Sequence, residues 1–291
     1  MAYLPEDNIV TVQTNTTDFF QFYKLSINEY TTINGETDRD ELTKTIHLSI
    51  KKYDYQFQYL VEVFDRVHKN RTLSLSEKDL GVQLSSILDE IKLNVDLDLN
   101  LIKIDNFDEI KDKAQQKIKK LFQKYVGENA KTKFEFLSKF YNNEKLIFSD
   151  LQRYNQLGLL INKFQGLYRF GRSSKYKIRY LNFLENTLLE VDETMKLIRL
   201  NRDIEELEIQ LSGVISDNFN KIMFVKEMEL QDIIFDHQKD NPTLDVYRGN
   251  YVFNSVTGEI KSSKINIEFS FGTNYSKKIE YNLVAVNHEE I

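Results

Sequence analysis

Between Leu151 and Leu184 the chain carries seven basic residues and no acidic one. The bases are Arg153, Lys163, Arg169, Arg172, Lys175, Lys177 and Arg179, and they are interleaved with rings, among them Tyr168 and Tyr176. Cations neutralise phosphates and aromatic faces stack on exposed bases. The segment 151–183 is therefore a candidate contact for nucleic acid, another anion or a protein partner. The competing reading is internal neutralisation, because residues 185–208 hold eight acids against three bases. A net charge of −6 for the whole chain favours an acidic protein surface as the partner.

Within this stretch Gly166, Gly171, Arg172 and Ser173 have the spacing of a phosphate-binding loop, with arginine where lysine belongs. That loop needs a preceding parallel strand and small residues around the phosphate, whereas Tyr168 and Phe170 stand here. Asp96, Asp98, Asn100 and Asp105 suggest a calcium loop, but Leu101 and Phe107 occupy its glycine and glutamate positions. His47, His68, His237 and His288 have no metal-ligand spacing. There is no cysteine, which excludes disulfides, thiolate metal sites and cysteine nucleophiles. No hydrolase or metalloprotease motif is present. We therefore expect no catalytic residue, no cofactor and no metal.

The elements that must position the basic segment are read from periodicity. Pro5 and Pro242 are the only prolines, so no proline breaks a long element between them. Leu42, Ile46, Ile50, Tyr53, Phe57, Leu60, Val61 and Phe64 recur largely at spacings of three and four, which predicts a long helix from about residue 38 to 70. Leu184, Leu188, Val191, Met195 and Ile198, followed by a shifted set to Val214, predict a coiled-coil-like helix over about 174–219. Helices are also expected over 19–30, 82–90, 107–125, 129–142 and 148–165. Ile91, Leu93, Val95, Leu97, Leu99 and Leu101 alternate with polar residues, so 91–101 is predicted as a strand. After Pro242 the runs 244–248, 250–256, 265–271 and 275–286 read as strands. Asn34-Gly35, Thr257-Gly258 and Gly272-Thr273-Asn274 are expected turns.

The fold class expected is mainly α with a small β part. Long helices form a bundle-like body over 1–240, with an inserted strand near 91–104. A C-terminal antiparallel β-meander over 241–291 packs on or beside it. The 41% apolar and 29% charged content, with 20 Phe and 16 Tyr, suits a folded domain. The start lacks the basic and apolar regions of a signal peptide, and no apolar run reaches the ~18–20 residues of a membrane span. The location expected is cytoplasmic, or a virion or particle assembled in a cytoplasm. The function expected is a non-enzymatic structural or assembly subunit of a larger complex, such as a phage virion, a tail-like injection machine or secretion machinery. Its partners would be protein subunits, in a homo- or hetero-oligomer. The alternative is a nucleic-acid-binding protein that uses 151–183.

Overall fold

The computed structural model describes residues 9–12, 18–70, 84, 86–97, 100–125, 128–151, 157–161, 166–181, 187–287 and 289. Eleven antiparallel strands form one sheet, and strand makes up 57% of the structure against 23% helix. The strands are β1 (Ile9–Val12), β2 (Asp18–Ile33), β3 (Glu36–Tyr53), β4 (Gln56–Asn70), β5 (Glu90–Asp96), β6 (Leu101–Ile104) and β7 (Gly166–Arg169). They continue with β8 (Ser173–Leu181), β9 (Leu188–Asn201), β10 (Glu206–Ile215), β11 (Pro242–Asn254), β12 (Ile260–Phe271) and β13 (Tyr275–Val286). The order across the large sheet is β6-β5-β4-β3-β2-β13-β12-β11-β10-β9-β8, and β1 pairs with β7 separately.

The expected mainly α, bundle-like body is thereby overturned, as are the helical bundle and the coiled coil. The predicted helix 38–70 is the hairpin β3–β4, and the predicted helix 174–219 is β8, β9 and β10. The physical reason is that a spacing of four suits a strand as well as a helix. On β3 the buried row is Lys44, Ile46, Leu48 and Ile50, with period two. The odd step at Tyr53 falls beside the turn at Asp54-Tyr55, where the row passes to Phe57, Tyr59 and Val61 on β4. On β9 the row is Leu189, Val191, Glu193, Met195 and Leu197, and the polar residue at its centre hides the alternation. The scarcity of proline permits long central strands as readily as long helices.

The turns match their residues. Asn34 and Gly35 have φ of 50° and 86°, the pair of positive angles that a two-residue hairpin demands. Gly272–Asn274 closes β12 on β13. The strand expected at 91–101 stops at Asp96 and turns, and β6 follows. Its partners are β4 and β6, with Gln56 opposite Asp96. The C-terminal strands lie in the interior of the sheet: β13 bonds β2 along twelve residue pairs and β11 bonds β10.

One face of the sheet is buried, and the sheet curls around it. Tyr180 on β8 and Tyr247 on β11 are three strands apart, about 14 Å in a flat sheet. Their hydroxyls nevertheless meet at 2.9 Å. Helices α1 (Phe107–Lys124), α2 (Glu128–Tyr141), α3 (Glu144–Leu151) and α4 (Gly158–Ile161) follow β6 and join the same apolar core through Ile110, Ala114, Ile118 and Leu121 of α1. Helix α5 (Lys221–Leu230) closes the far end, with Phe224 set against Phe269, Phe271 and Tyr275 at ring separations of 5.2, 5.7 and 5.9 Å.

Lys44 is buried within this core near Arg66 and Asp89, which pair at 2.5 Å. Burial, then the Arg66 charge, pushes its pKa down to about 7, with Asp89 opposing. Between pH 7 and about 10 the unfolded chain holds a proton on this lysine that the folded chain lacks, so stability climbs with pH over that window. We expect a gain of roughly 2–3 kcal/mol between pH 7 and 9.5 in urea unfolding. That gain should be absent in Lys44→Met.

Candidate functional site: the basic edge strand

Strand β8 ends the sheet. One side bonds β9, from Ser173 opposite Lys196 to Leu181 opposite Leu188. Among the described residues no strand pairs with its other side. Open edges present backbone N–H and C=O groups in a row and template the addition of a further strand. Gly171, at φ 78°, turns the chain from β7 into β8, with the Arg172 N–H donating to the Arg169 carbonyl at 3.1 Å. The stretch resembling a phosphate loop is thus strand, turn and strand, with no helix to receive an anion.

The period of two sorts the basic segment by face. Ile178 and Tyr180 are buried and Tyr176 half-buried, while Lys175 and Lys177 are exposed on the other face. Arg169 and Arg172 are exposed at the turn. Tyr168 is buried, its hydroxyl 3.7 Å from the Met195 sulfur. On β8 the cations and rings that interleave in sequence therefore point to opposite sides, and the exposed ring beside the cations is Phe170, at the turn between Arg169 and Arg172. Arg179 lies on β8 opposite Glu190. Arg153 and Lys163 lie outside the described residues.

Arg169, Arg172, Lys175 and Lys177 make no side-chain hydrogen bond or ion pair among the described residues. The acids downstream are largely engaged elsewhere. Arg199 holds Glu208 at 3.2 Å and Glu206 at 3.7 Å, and Lys261 also reaches Glu206. Glu190 and Glu193 are buried. Lys177 stands opposite Asp192 in register, yet no ion pair joins them. Among the described residues four cations thus stand without an ion pair, Lys175 and Lys177 on the open edge strand and Arg169 and Arg172 at the turn before it.

Sequence reading missed the hydroxyl chain behind this strip. The Tyr247 hydroxyl donates to Glu193 at 2.7 Å and meets that of Tyr180 at 2.9 Å. The Tyr247 ring lies over Gly213, where an added Cβ would fall 2.6 Å from the ring. No spacing in the chain announces this arrangement, because its members come from three strands. Burial holds the Tyr180 phenol well above its usual pKa, with the Tyr281 and Glu193 charges adding and the Tyr247 hydrogen bond opposing.

The other described candidates are accounted for locally, while Asp98 and His288 lie outside the described residues. Asp105 accepts from Gln58, Asn94 and Lys103, and Asp96 caps its own turn through Asn100. His47 pairs with Glu62 at 2.8 Å and stacks on Phe22, His68 pairs with Asp40, and His237 lies 3.5 Å from Glu229. Among the described residues no group of three His, Asp or Glu could hold a metal ion. No helix among them is long and apolar enough to cross a membrane.

No protein-family model matches the chain, and no curated protein matches it in sequence. Among solved structures, one titled "Lipid-protein interactions in lipovitellin" aligns with 94% of this chain at a TM-score of 0.50 and 8% identity. The chain spans 26% of that protein. The likeness is one of fold alone.

Proposed function

We propose that the chain is a non-enzymatic subunit of a larger macromolecular assembly, joined to its neighbour at the β8 edge. The observation that carries this reading is the open edge strand whose Lys175 and Lys177, with Arg169 and Arg172 at its turn, make no ion pair among the described residues. An extended, acidic segment of a neighbouring subunit fits both properties. Its backbone would continue the sheet, and its carboxylates would meet the cations. A particle made of repeated subunits, such as a virion or tail-like machine, is a setting that uses such edges. Nucleic acid is the second reading, supported by the same four cations. The inward turn of Tyr168 and Tyr176 leaves it phosphate contacts and the exposed ring of Phe170.

The test is Lys175→Glu combined with Lys177→Glu, purified with the native assembly at about 0.1 M salt, where surface charges act over ~10 Å. Light scattering should show the wild type in an assembly and the variant as a monomer. The melting temperature should change little, because neither lysine makes an ion pair among the described residues. A variant that assembles like the wild type contradicts the proposal. Salt-removable nucleic acid on the wild type, absent from the variant, would favour the second reading.

A further inference from the structure

Going beyond the β8 edge, we propose that the outer face of the sheet over β8–β12 binds the phosphate backbone of duplex nucleic acid. The strand registers set two rows side by side on that face, crossing β8, β9, β10, β11 and β12. Lys175 and Arg248 fall in one row, and Lys196 and Lys264 in the next. Every other position of the two rows is Ser, Thr, Asn or Gln, with neither an acid nor an apolar side chain. The four cations are exposed and make no ion pair among the described residues. From Lys175 to Lys264 is four strand spacings, about 19 Å in a flat sheet.

The acids that border this area are mostly held by other cations. Glu208 is bound by Arg199 at 3.2 Å and accepts from the Asn250 amide, and Glu268 and Glu280 share Lys278 at 3.3 and 3.1 Å. Asp192, opposite Lys177, is the bordering acid without an ion pair among the described residues. The area is thus cationic within a chain of net charge −6. Helix α1 has more lysines, but Asp108, Glu109 and Asp112 share it, and its Lys117 donates to Ser86. The side chains present select the occupant. A protein interface needs an apolar or aromatic centre, and these two rows have none. A single strand would stack its bases on rings, which are absent here too. A duplex hides its bases and turns its phosphates outward, and phosphates are met by Lys and Arg together with Ser, Thr, Asn and Gln. Such a contact is independent of base sequence and weak, in the micromolar range or above at physiological salt.

The test is fluorescence anisotropy of a short labelled DNA duplex, titrated with the protein from about 25 to 200 mM salt. The wild type should bind with a log–log salt slope of about −3 to −4, at roughly −0.9 per phosphate met. Lys196→Gln, Arg248→Gln and Lys264→Gln together should flatten the slope to about −1 and weaken binding roughly tenfold or more at low salt. The circular dichroism spectrum should be unchanged. If the triple variant misfolds, Lys264→Gln alone should flatten the slope by about one. No binding of duplex at the lowest salt, or a folded triple variant that binds like the wild type, overturns the proposal. Heparin bound without duplex overturns it in favour of an acidic glycan, and a single strand bound more tightly than duplex contradicts a backbone-only contact. The triple variant leaves β8 intact and should still enter the native assembly, which separates this claim from the edge-strand reading. A triple variant that loses assembly but keeps the duplex overturns it in favour of an acidic protein surface.

Discussion

Just above pH 10 the protein is expected to unfold over about one to two pH units. Tyr23, Tyr141, Tyr168, Tyr180, Tyr275 and Tyr281 are buried, and burial above all raises their pKa values far beyond the usual phenol range. The unfolded chain releases these protons near pH 10, whereas the folded chain keeps them. Stability that is fully present below pH 10 is therefore lost as pH rises. With six phenols the loss reaches about 8 kcal/mol per pH unit, against a typical total of ~5–15 kcal/mol. The rise due to Lys44 precedes this fall, so maximum stability is expected near pH 9–10. A spectrophotometric titration reads the outcome cleanly, because no tryptophan overlaps the phenolate signal. A first group of the 16 tyrosines should ionise reversibly, and the six named above should appear only together with loss of circular dichroism. A single smooth step near pH 10 with the fold retained would contradict the buried tyrosine rows.

Gly249→Ala is expected to cost about 3 kcal/mol, at the upper end of ordinary overpacking. Gly249 lies on β11 between the inward rings of Tyr247 and Tyr251, opposite Ile265 and Leu211. A Cβ there would stand 2.5 Å from the Lys264 carbonyl oxygen and 2.8 Å from the Ile265 side chain. The backbone oxygen belongs to a bonded neighbouring strand, so neither contact is relieved by a simple side-chain rotation. Gly35→Ala meets nothing within 4 Å, and its cost comes only from φ of 86°, on the order of 1 kcal/mol. Urea midpoints of the two variants, compared with the wild type, measure the difference. Equal small losses would mean that β11 and β12 are not in contact as described.

What the sequence made legible follows from where its signals are local. Turn glycines, the Phe107–Lys124 and Glu128–Tyr141 helices, and the unbroken alternation of β5, β12 and β13 could all be read, because each depends on near neighbours. The long strands could not, because Lys44 and Glu193 occupy inward positions and replace the apolar residue that would mark period two. Exposed Ile198, Ile204 and Val214 meanwhile supply apolar residues off the buried row, and these fit a helical spacing. The same ambiguity shaped the site. Composition revealed the cations of 151–183, but a helix would interleave them with Tyr168 and Tyr176 around one surface, whereas the strands part them. Position at the edge of a sheet is set by pairing of strands distant in sequence, which no local pattern encodes.

The central claim is that the outer side of β8 is covered by a neighbouring subunit in the native assembly. The chain has no cysteine, so Lys177→Cys creates one thiol on that strand, and Lys239→Cys creates a control at a site whose side chain is 83% exposed. The decisive measurement is the maleimide labelling rate of each variant in the intact assembly and after its dissociation by salt. The account predicts at least tenfold slower labelling of Lys177→Cys in the assembly, full release on dissociation, and no change for Lys239→Cys. Equal rates for Lys177→Cys in both states would contradict it.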